Sequence, residues 1–192
     1  MLKLRKGGHK DLEKYYGLME IDFDSEELFS KLTIHKAMLN SDMELVVFYD
    51  DETKMEVGYA LVLLKNLYGY VLLKYMAVMP WYRGKGFGIE LMRQLNKRYA
   101  DTQGILAELT EFPDEDADRL RKLRKFFARF GYEEVAIDYK ISGTKANLYV
   151  KPICGTAEIG SVAHRIVRDF YARCLNAFAL ERMIDIGGRE RK

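Results

Sequence analysis

Residues 72–88 read LLKYMAVMPWYRGKGFG and place a glycine-rich turn directly after an apolar run. The run from Tyr70 to Val78 is almost uninterrupted, which is typical of a strand that is covered on both faces of a sheet. Beyond the turn, apolar residues recur at the spacing of one helix face. These residues are Leu91, Met92, Leu95 and Tyr99. The stretch therefore predicts a central strand, a glycine loop and a helix, in that order.

A glycine loop between a strand and a helix is suited to binding a phosphate group. Backbone N–H groups without bulky side chains can approach phosphate oxygens closely, and the helix N-terminus adds about half a positive charge. A P-loop is excluded, because Met79 stands where it needs glycine and Gly86 stands where it needs serine or threonine. The dinucleotide fingerprint is excluded as well, because it needs glycine or alanine at Ile89 or Leu91.

The rest of the chain predicts a mixed sheet flanked by helices, an α/β fold in one domain over residues 1–192. Helical periodicity and turn signals define the flanking elements. Predicted helices are Lys10–Met19, Glu26–Leu39 with a start at Ser25, Asp118–Phe130 ended by Gly131, and a C-terminal helix over 156–180. Predicted strands are Glu44–Tyr49, Glu56–Lys65, Ile105–Leu109, Tyr132–Ile141 and Ala146–Val150.

Composition and charge exclude several classes of function. A net charge of +2 gives no strong attraction to nucleic acid or acidic membranes. No apolar run approaches the ~20 residues that span a bilayer, and the N-terminus lacks a secretory signal, so we expect a cytoplasmic protein. The two cysteines and three histidines are scattered, which predicts neither a disulfide nor a metal site.

The glycine loop resembles the acetyl-CoA signature of the GNAT N-acyltransferases, R/Q-x-x-G-x-G/A, at Arg83, Gly86 and Gly88. The approach Pro80-Trp81-Tyr82 and the later segment Phe126–Tyr132, similar to the family's "FYxxxGF", follow in the family's order. The resemblance covers roughly residues 44–150. It implies a GNAT fold, in which the central strand splays from its neighbour, here Ile105–Leu109.

The resemblance also implies acetyl-CoA as the cosubstrate and indicates which residues bind it. The N–H groups of the loop would hold the pyrophosphate, with Arg83 at the same loop, and the end of the central strand would offer backbone groups to the pantetheine. The loop residues are Gly84, Lys85, Gly86, Phe87 and Gly88, and the strand residues are Met76, Ala77 and Val78.

The catalytic residues depart from the family pattern at two positions. Many relatives place a glutamate on the central strand where this chain has Lys74, so Glu108 and Glu111 are the candidate bases. The family's tyrosine acid aligns with Phe127. Either water and backbone dipoles assist the leaving thiolate, or Tyr132 or Tyr75 takes over, and each of these side chains could instead be structural.

Three functions are compatible with these patterns. The first is transfer of an acetyl group from acetyl-CoA to an amine, on a small molecule or a protein. The second is a non-catalytic acyl-CoA-binding module or sensor, which Lys74 and Phe127 favour. The third is RNA binding through the basic face of Arg119–Arg129, against which the low net charge argues. The partners expected are acetyl-CoA and an amine acceptor, with no nucleic acid or membrane, and the C-terminal helix could pack across a homodimer.

Overall fold

A computed structural model describes residues 1–64, 66–111, 117–154 and 159–187 of the chain. In this part of the chain the strands form one mixed sheet in the order β1-β2-β3-β4-β5-β7-β6-β8. The strands are β1 (Leu2–Lys6), β2 (Met43–Asp50), β3 (Glu56–Leu63), β4 (Tyr70–Val78), β5 (Gly104–Thr110), β6 (Glu133–Ile141), β7 (Thr144–Pro152) and β8 (Ile184–Ile186). All neighbouring strands are antiparallel except β4 and β5, which are parallel.

Helices cover both faces of this sheet. They are α1 (His9–Asp22), α2 (Lys31–Leu39), α3 (Phe87–Arg98), α4 (Ala117–Arg129), α5 (Ala163–Cys174) and α6 (Ala177–Met183), with short 3-10 turns at Pro80–Tyr82 and Ile159–Ser161. Among the described residues, none of the helices has the length and apolar character that crossing a bilayer requires.

The core has two halves because successive strand residues point to opposite faces of the sheet. Leu72 and Leu106 pack with residues of α1, α2 and α5 on one face. Val71 and Ala107, one position earlier and later, pack with residues of α3 and α4 on the other face. The alternation explains why β4 reads as a continuous apolar run, and the mixed α/β sheet predicted from the sequence is confirmed.

The central parallel pair is only four residues long. Tyr70–Leu73 pair with Gly104–Ala107, and the pairing ends there. Each strand continues to pair on its other side, since β4 follows β3 to Val78 and β5 follows β7 to Thr110. The two strands therefore diverge from Lys74 and Glu108 onward and open a fork in the sheet. The predicted splay between β4 and its neighbour is confirmed.

The N-terminal half departs from the sequence-based prediction in two places. Residues Leu2–Lys6 form an edge strand, which was missed because charged residues alternate with Leu2 and Leu4 on a strand that has solvent on one side. The second helix begins at Lys31 rather than near Ser25. Ser30 caps it, since its side chain accepts a hydrogen bond from the N–H of Thr33.

The C-terminal half departs in a similar way. The structure has two helices, α5 and α6, where the sequence predicts one helix over 156–180. Residues 156–158 of the predicted helix lie outside the described part of the chain. Leu175 is extended, and the Asn176 side chain caps α6 by accepting from the N–H of Ala179. Phe178, in the first turn of α6, is exposed. Strand β8, which follows α6, was too short to be recognised.

The end of the strand predicted over Glu56–Lys65 also differs, because β3 ends at Leu63 and Lys65 is not described.

Candidate active site

A pocket of about 170 Å³ lies in the fork between β4 and β5. Strand residues beyond the last paired position form one wall, helix α4 forms a second, and the segment between α1 and α2 forms the rim. The lining residues are Leu73, Lys74, Met76, Glu108, Leu109, Thr110, Phe23, Glu27, Arg119, Leu120, Leu123, Phe126 and Phe127. Phe23 and Glu27, which lie between α1 and α2, form part of this rim.

An ion pair occupies the point where the fork opens. The Nζ of Lys74 lies 3.0 Å from Oε2 of Glu108, and each side chain is only 2% exposed. Tyr171 of α5 joins the pair: its hydroxyl accepts a hydrogen bond from Lys74 Nζ at 2.7 Å and donates one to Glu108 Oε2 at 2.7 Å. The first unpaired residues of the two strands are thus linked to a helix near the C-terminus.

Aromatic rings surround the buried ammonium group. Lys74 Nζ lies 5.8, 5.4 and 5.2 Å from the ring centres of Phe29, Tyr75 and Tyr171, respectively. Such ring faces attract cations, and the attraction is stronger where water is excluded. Together with Glu108, they offset the desolvation that a buried lysine would otherwise suffer.

Two buried oxygen atoms of this cluster have no hydrogen-bond partner among the described residues: Oε1 of Glu108 and the hydroxyl of Tyr139. Burial, with the nearby Glu108 carboxylate, raises the pKa of both Tyr139 and Tyr171 well above its usual value. Both phenols therefore keep their protons over the ordinary pH range. An unpartnered carboxylate oxygen in a buried position is costly, which indicates a site that receives a donor.

The glycine loop adopts the conformation that its sequence predicts. Gly84 and Gly86 have φ values of +75° and +81°, a region that side chains with a Cβ rarely adopt. Gly86 is the N-cap of α3. The N–H groups from Gly84 to Gly88 donate to no acceptor within the described part of the chain. They remain available to an anion at the N-terminus of α3.

Arg83 stands at the start of this loop, but its side chain turns toward the strand. Its Nε donates to the carbonyl of Val78 at 3.0 Å, and its guanidinium forms an ion pair with Asp22 at the end of α1. The backbone of Met76 to Val78 pairs with β3 on one side, and no strand pairs with it on the side of the fork. Among the predicted cofactor residues, Met76 lines the pocket, and the others follow it along the end of β4 and the loop before α3.

Glu111, the second candidate base, lies at the end of β5 and outside the pocket lining. Its Oε1 accepts from Arg124 and Asn147, each at 2.5 Å, and its Oε2 lies 3.5 Å from Lys145. The hydrogen bond from Asn147 and the two cations lower its pKa. A carboxylate held in this way is a weaker proton acceptor, so the structure favours Glu108 over Glu111.

Neither tyrosine considered as an acid has a hydroxyl that lines the pocket. Tyr132 is buried behind α4, where it donates to Asn96 Oδ1 at 3.2 Å and packs against Phe127. Burial raises its pKa. The Tyr75 hydroxyl accepts from the N–H of Phe29 at 2.9 Å and donates to the carbonyl of Glu27 at 2.6 Å. Its contacts anchor the rim segment.

Sequence analysis missed Tyr171, the third member of the polar cluster. It stands on the buried face of α5, where its apolar neighbours make it resemble a packing residue. The available signal was general, namely that a buried tyrosine hydroxyl usually finds a polar partner. In the described residues, no group of three or more His, Cys, Asp or Glu side chains is arranged to hold a metal ion.

Comparisons with known proteins agree with this geometry. The family model of the acetyltransferase (GNAT) domain matches residues 41–134. A GNAT-family protein from Bacteroides thetaiotaomicron has a TM-score of 0.66 at 16% identity, covering 86% of this chain and 97% of its own. The spermidine N-acetyltransferase of Vibrio cholerae, in complex with CoA and spermine, has a TM-score of 0.61 at 14% identity, covering 79% of this chain and 95% of its own. No curated protein sequence matches the chain significantly.

The family match contains the fork and the glycine loop, since it runs from β2 to the start of β6. The structural matches extend the same fold over about four fifths of the chain. The family match therefore shows an acetyltransferase (GNAT) domain over residues 41–134, and the structural matches show the same fold.

Proposed function

We propose that the chain transfers the acetyl group of acetyl-CoA directly to an amine that enters the fork between β4 and β5. The observation that carries this proposal is the position of Glu108. Its buried carboxylate lies one residue beyond the end of strand pairing and lines the pocket that opens there. A base on β5 at this point and a bare amide loop beyond the end of the neighbouring strand β4 fit the two ends of an acyl-CoA substrate.

Binding of acetyl-CoA is assigned to backbone groups of the glycine loop and of β4. The N–H groups of Gly84 to Gly88 hold the pyrophosphate, and the free edge of β4 from Met76 to Val78 pairs with the pantetheine as an added strand would. Arg83 contributes by holding the end of β4 against α1 through Val78 and Asp22. Backbone recognition of this kind needs glycine at the loop but few particular side chains.

Glu108 is assigned the role of base. The amine nitrogen attacks the thioester carbonyl carbon, so that a C–N bond forms and the C–S bond breaks. The proton from nitrogen goes to Glu108, and the CoA thiolate that leaves takes a proton from water. Glu108 then returns its proton to solvent, and the products are an amide and free CoA.

The acceptor is an amine that attacks in its neutral form, and the rim of the pocket favours one with a positive charge elsewhere in the molecule. Glu27 lines the pocket, with Oε2 held by the Thr110 hydroxyl at 2.7 Å, and it follows the acidic segment 20–24. Carboxylates at a pocket mouth raise the local concentration of cations. The structural neighbour that was crystallised with spermine acts on a polyamine, which agrees with this charge preference.

Two measurements test the proposal. Calorimetry should detect binding of acetyl-CoA and of free CoA, and thiol release in the presence of an amine panel should exceed release from acetyl-CoA alone. Absence of heat with both ligands would remove the whole assignment. Binding without amine-dependent thiol release would favour a second function.

That second function is a non-catalytic acyl-CoA-binding module. Phe127 in place of a tyrosine and the mutual neutralisation of Lys74 and Glu108 favour it. Such a module would bind acetyl-CoA as tightly as an enzyme does, yet an E108Q variant would change nothing except stability. An enzyme would instead lose turnover in that variant.

A further inference from the structure

We propose that Tyr171 is a positioning residue that, with Lys74, fixes Oε2 of Glu108 and leaves Oε1 as the atom that accepts the proton of the acceptor amine. This inference rests on the proposed function, because it assigns a role to one atom of the proposed base. It also makes α5, which lies outside the family match over 41–134, a part of the active site.

The two oxygens of Glu108 have different surroundings. Oε2 receives hydrogen bonds from Lys74 at 3.0 Å and from Tyr171 at 2.7 Å. Oε1 receives none from the described residues, although the atom is buried. Because a proton binds best where lone pairs are free, the carboxylate presents Oε1 to an incoming donor.

The directions of the two hydrogen bonds of the Tyr171 hydroxyl are fixed in this cluster. Its single hydroxyl proton goes to Glu108, while its oxygen accepts from Lys74. Its raised pKa keeps that proton in place, so Tyr171 does not compete with Glu108 for the proton of the amine. The hydroxyl therefore locks the rotation of the carboxylate about its last bond.

The helix that carries Tyr171 is held firmly. Ala163, Ile166 and Val167 are fully buried, and Phe170 is 1% exposed. The Tyr171 ring meets Phe29 edge-on at 5.6 Å. A hydroxyl on so well packed a helix can place a hydrogen bond within the narrow limits that proton transfer requires.

Tyr15 of α1 provides a matched control. Its side chain is as buried as that of Tyr171, and its hydroxyl also donates to a carboxylate, Oε2 of Glu56 at 2.6 Å. Y15F and Y171F delete the same atom from the same residue type, and both keep the ring. Only Y171F removes a hydrogen bond from the proposed base.

The first experiment measures kcat, the KM for the amine and the Kd for acetyl-CoA in the wild type, Y171F and Y15F, well below each melting temperature. We expect Y171F to lower kcat about tenfold or more, as loss of a hydrogen bond to a charged group implies, with an unchanged Kd. Y15F should keep the wild-type kcat. A Y171F enzyme with normal kcat, or a Y15F enzyme equally impaired, would overturn the proposal while the wild-type activity still supports the proposed function.

The second experiment needs no acceptor. The melting temperatures of Y171F, E108Q and the double variant should be non-additive, because the two residues share a hydrogen bond. Y15F combined with E108Q is expected to be closer to additive, because Tyr15 donates to Glu56 instead. If the Y171F and E108Q effects simply add, the Tyr171–Glu108 contact does not exist in solution and the proposal fails.

Discussion

Lys74 and Glu108 face each other at the first positions after β4 and β5 stop pairing, with Nζ and Oε2 3.0 Å apart. On the central strand many relatives carry a carboxylate where this chain has Lys74. Here the carboxylate stands on the next strand and the lysine neutralises it. The carboxylate at the fork therefore comes from β5, and its counter-charge comes from β4.

The ion pair should matter for both stability and turnover, and a pair of variants separates the two. E108Q leaves Lys74 buried without a counter-charge, which should cost about 3–5 kcal/mol of unfolding free energy and abolish most turnover. The double variant K74M/E108L removes both charges and should regain most of that stability without regaining activity. Denaturant unfolding and thiol release measure the two effects. An active K74M/E108L enzyme would exclude Glu108 as the base.

The glycine loop should tolerate a neutral side chain better than a charged one. G86D and G86N impose the same strain at φ +81°, and a Cβ there meets no atom within 4 Å. Only G86D adds a negative charge beside the expected pyrophosphate. We expect G86D to bind CoA about tenfold or more weaker than G86N, as for like charges a few ångströms apart. Calorimetry on both variants, with circular dichroism as the check on folding, tests this, and equal affinities would show that the phosphates bind elsewhere.

Gly58 should be irreplaceable for a packing reason. A Cβ on Gly58 would lie 2.6 Å from the carbonyl oxygen of Ala77 and 2.6 Å from a methyl of Leu91, where β3 meets β4 and α3. G58A should therefore destabilise the fold by about 1–3 kcal/mol, as overpacking does. At Gly88 the nearest atoms, in Phe126 and Val78, lie 3.9 Å away, so G88A should fold like the wild type. Thermal unfolding compares the two variants, and a G58A protein as stable as G88A would contradict this packing.

The pKa of Glu111 predicts a pH-dependent contribution to stability. Its pKa is lowered from 4.5, chiefly by the hydrogen bond from Asn147, so the folded protein favours the ionised form. The contribution is fully present above the unfolded-state pKa and is lost as the pH falls through the lower folded-state value. The wild type should be more stable than E111Q at pH 7, and the difference should shrink below about pH 4.5. Melting temperatures across that range test it, and a difference that grows on acidification would contradict it.

E111Q is also informative about catalysis. Glu111 lies outside the pocket lining and is held by Arg124, Asn147 and Lys145, so we expect turnover close to that of the wild type. Thiol release with the same amine measures this. A loss in E111Q as large as that in E108Q would reverse the choice between the two candidate bases.

Sequence reasoning was accurate where short-range physics decides the outcome. The bounds of β4, the loop at Gly84 to Gly88 and the helix cap at Gly131 follow from apolar runs and from backbone angles that only glycine adopts readily. It was wrong at the N-terminal strand and at the break between α5 and α6. Both depend on distant contacts, since β1 exists by pairing with β2, and β8 after the break pairs with β6.

The local pattern of the chain thus specifies a strand, a bare amide loop and a helix, because turn geometry and hydrophobic periodicity act over a few residues. It also specifies that a lysine replaces the usual carboxylate on the central strand. The hydrogen-bonding partners at the fork are determined by long-range packing. This packing brings the polar side-chain atoms of Lys74, Glu108 and Tyr171 within 3.0 Å of one another, although Lys74 and Tyr171 are 97 positions apart in the sequence. No local signal encodes such a contact, because it arises when α5 packs onto the sheet and buries all three side chains together.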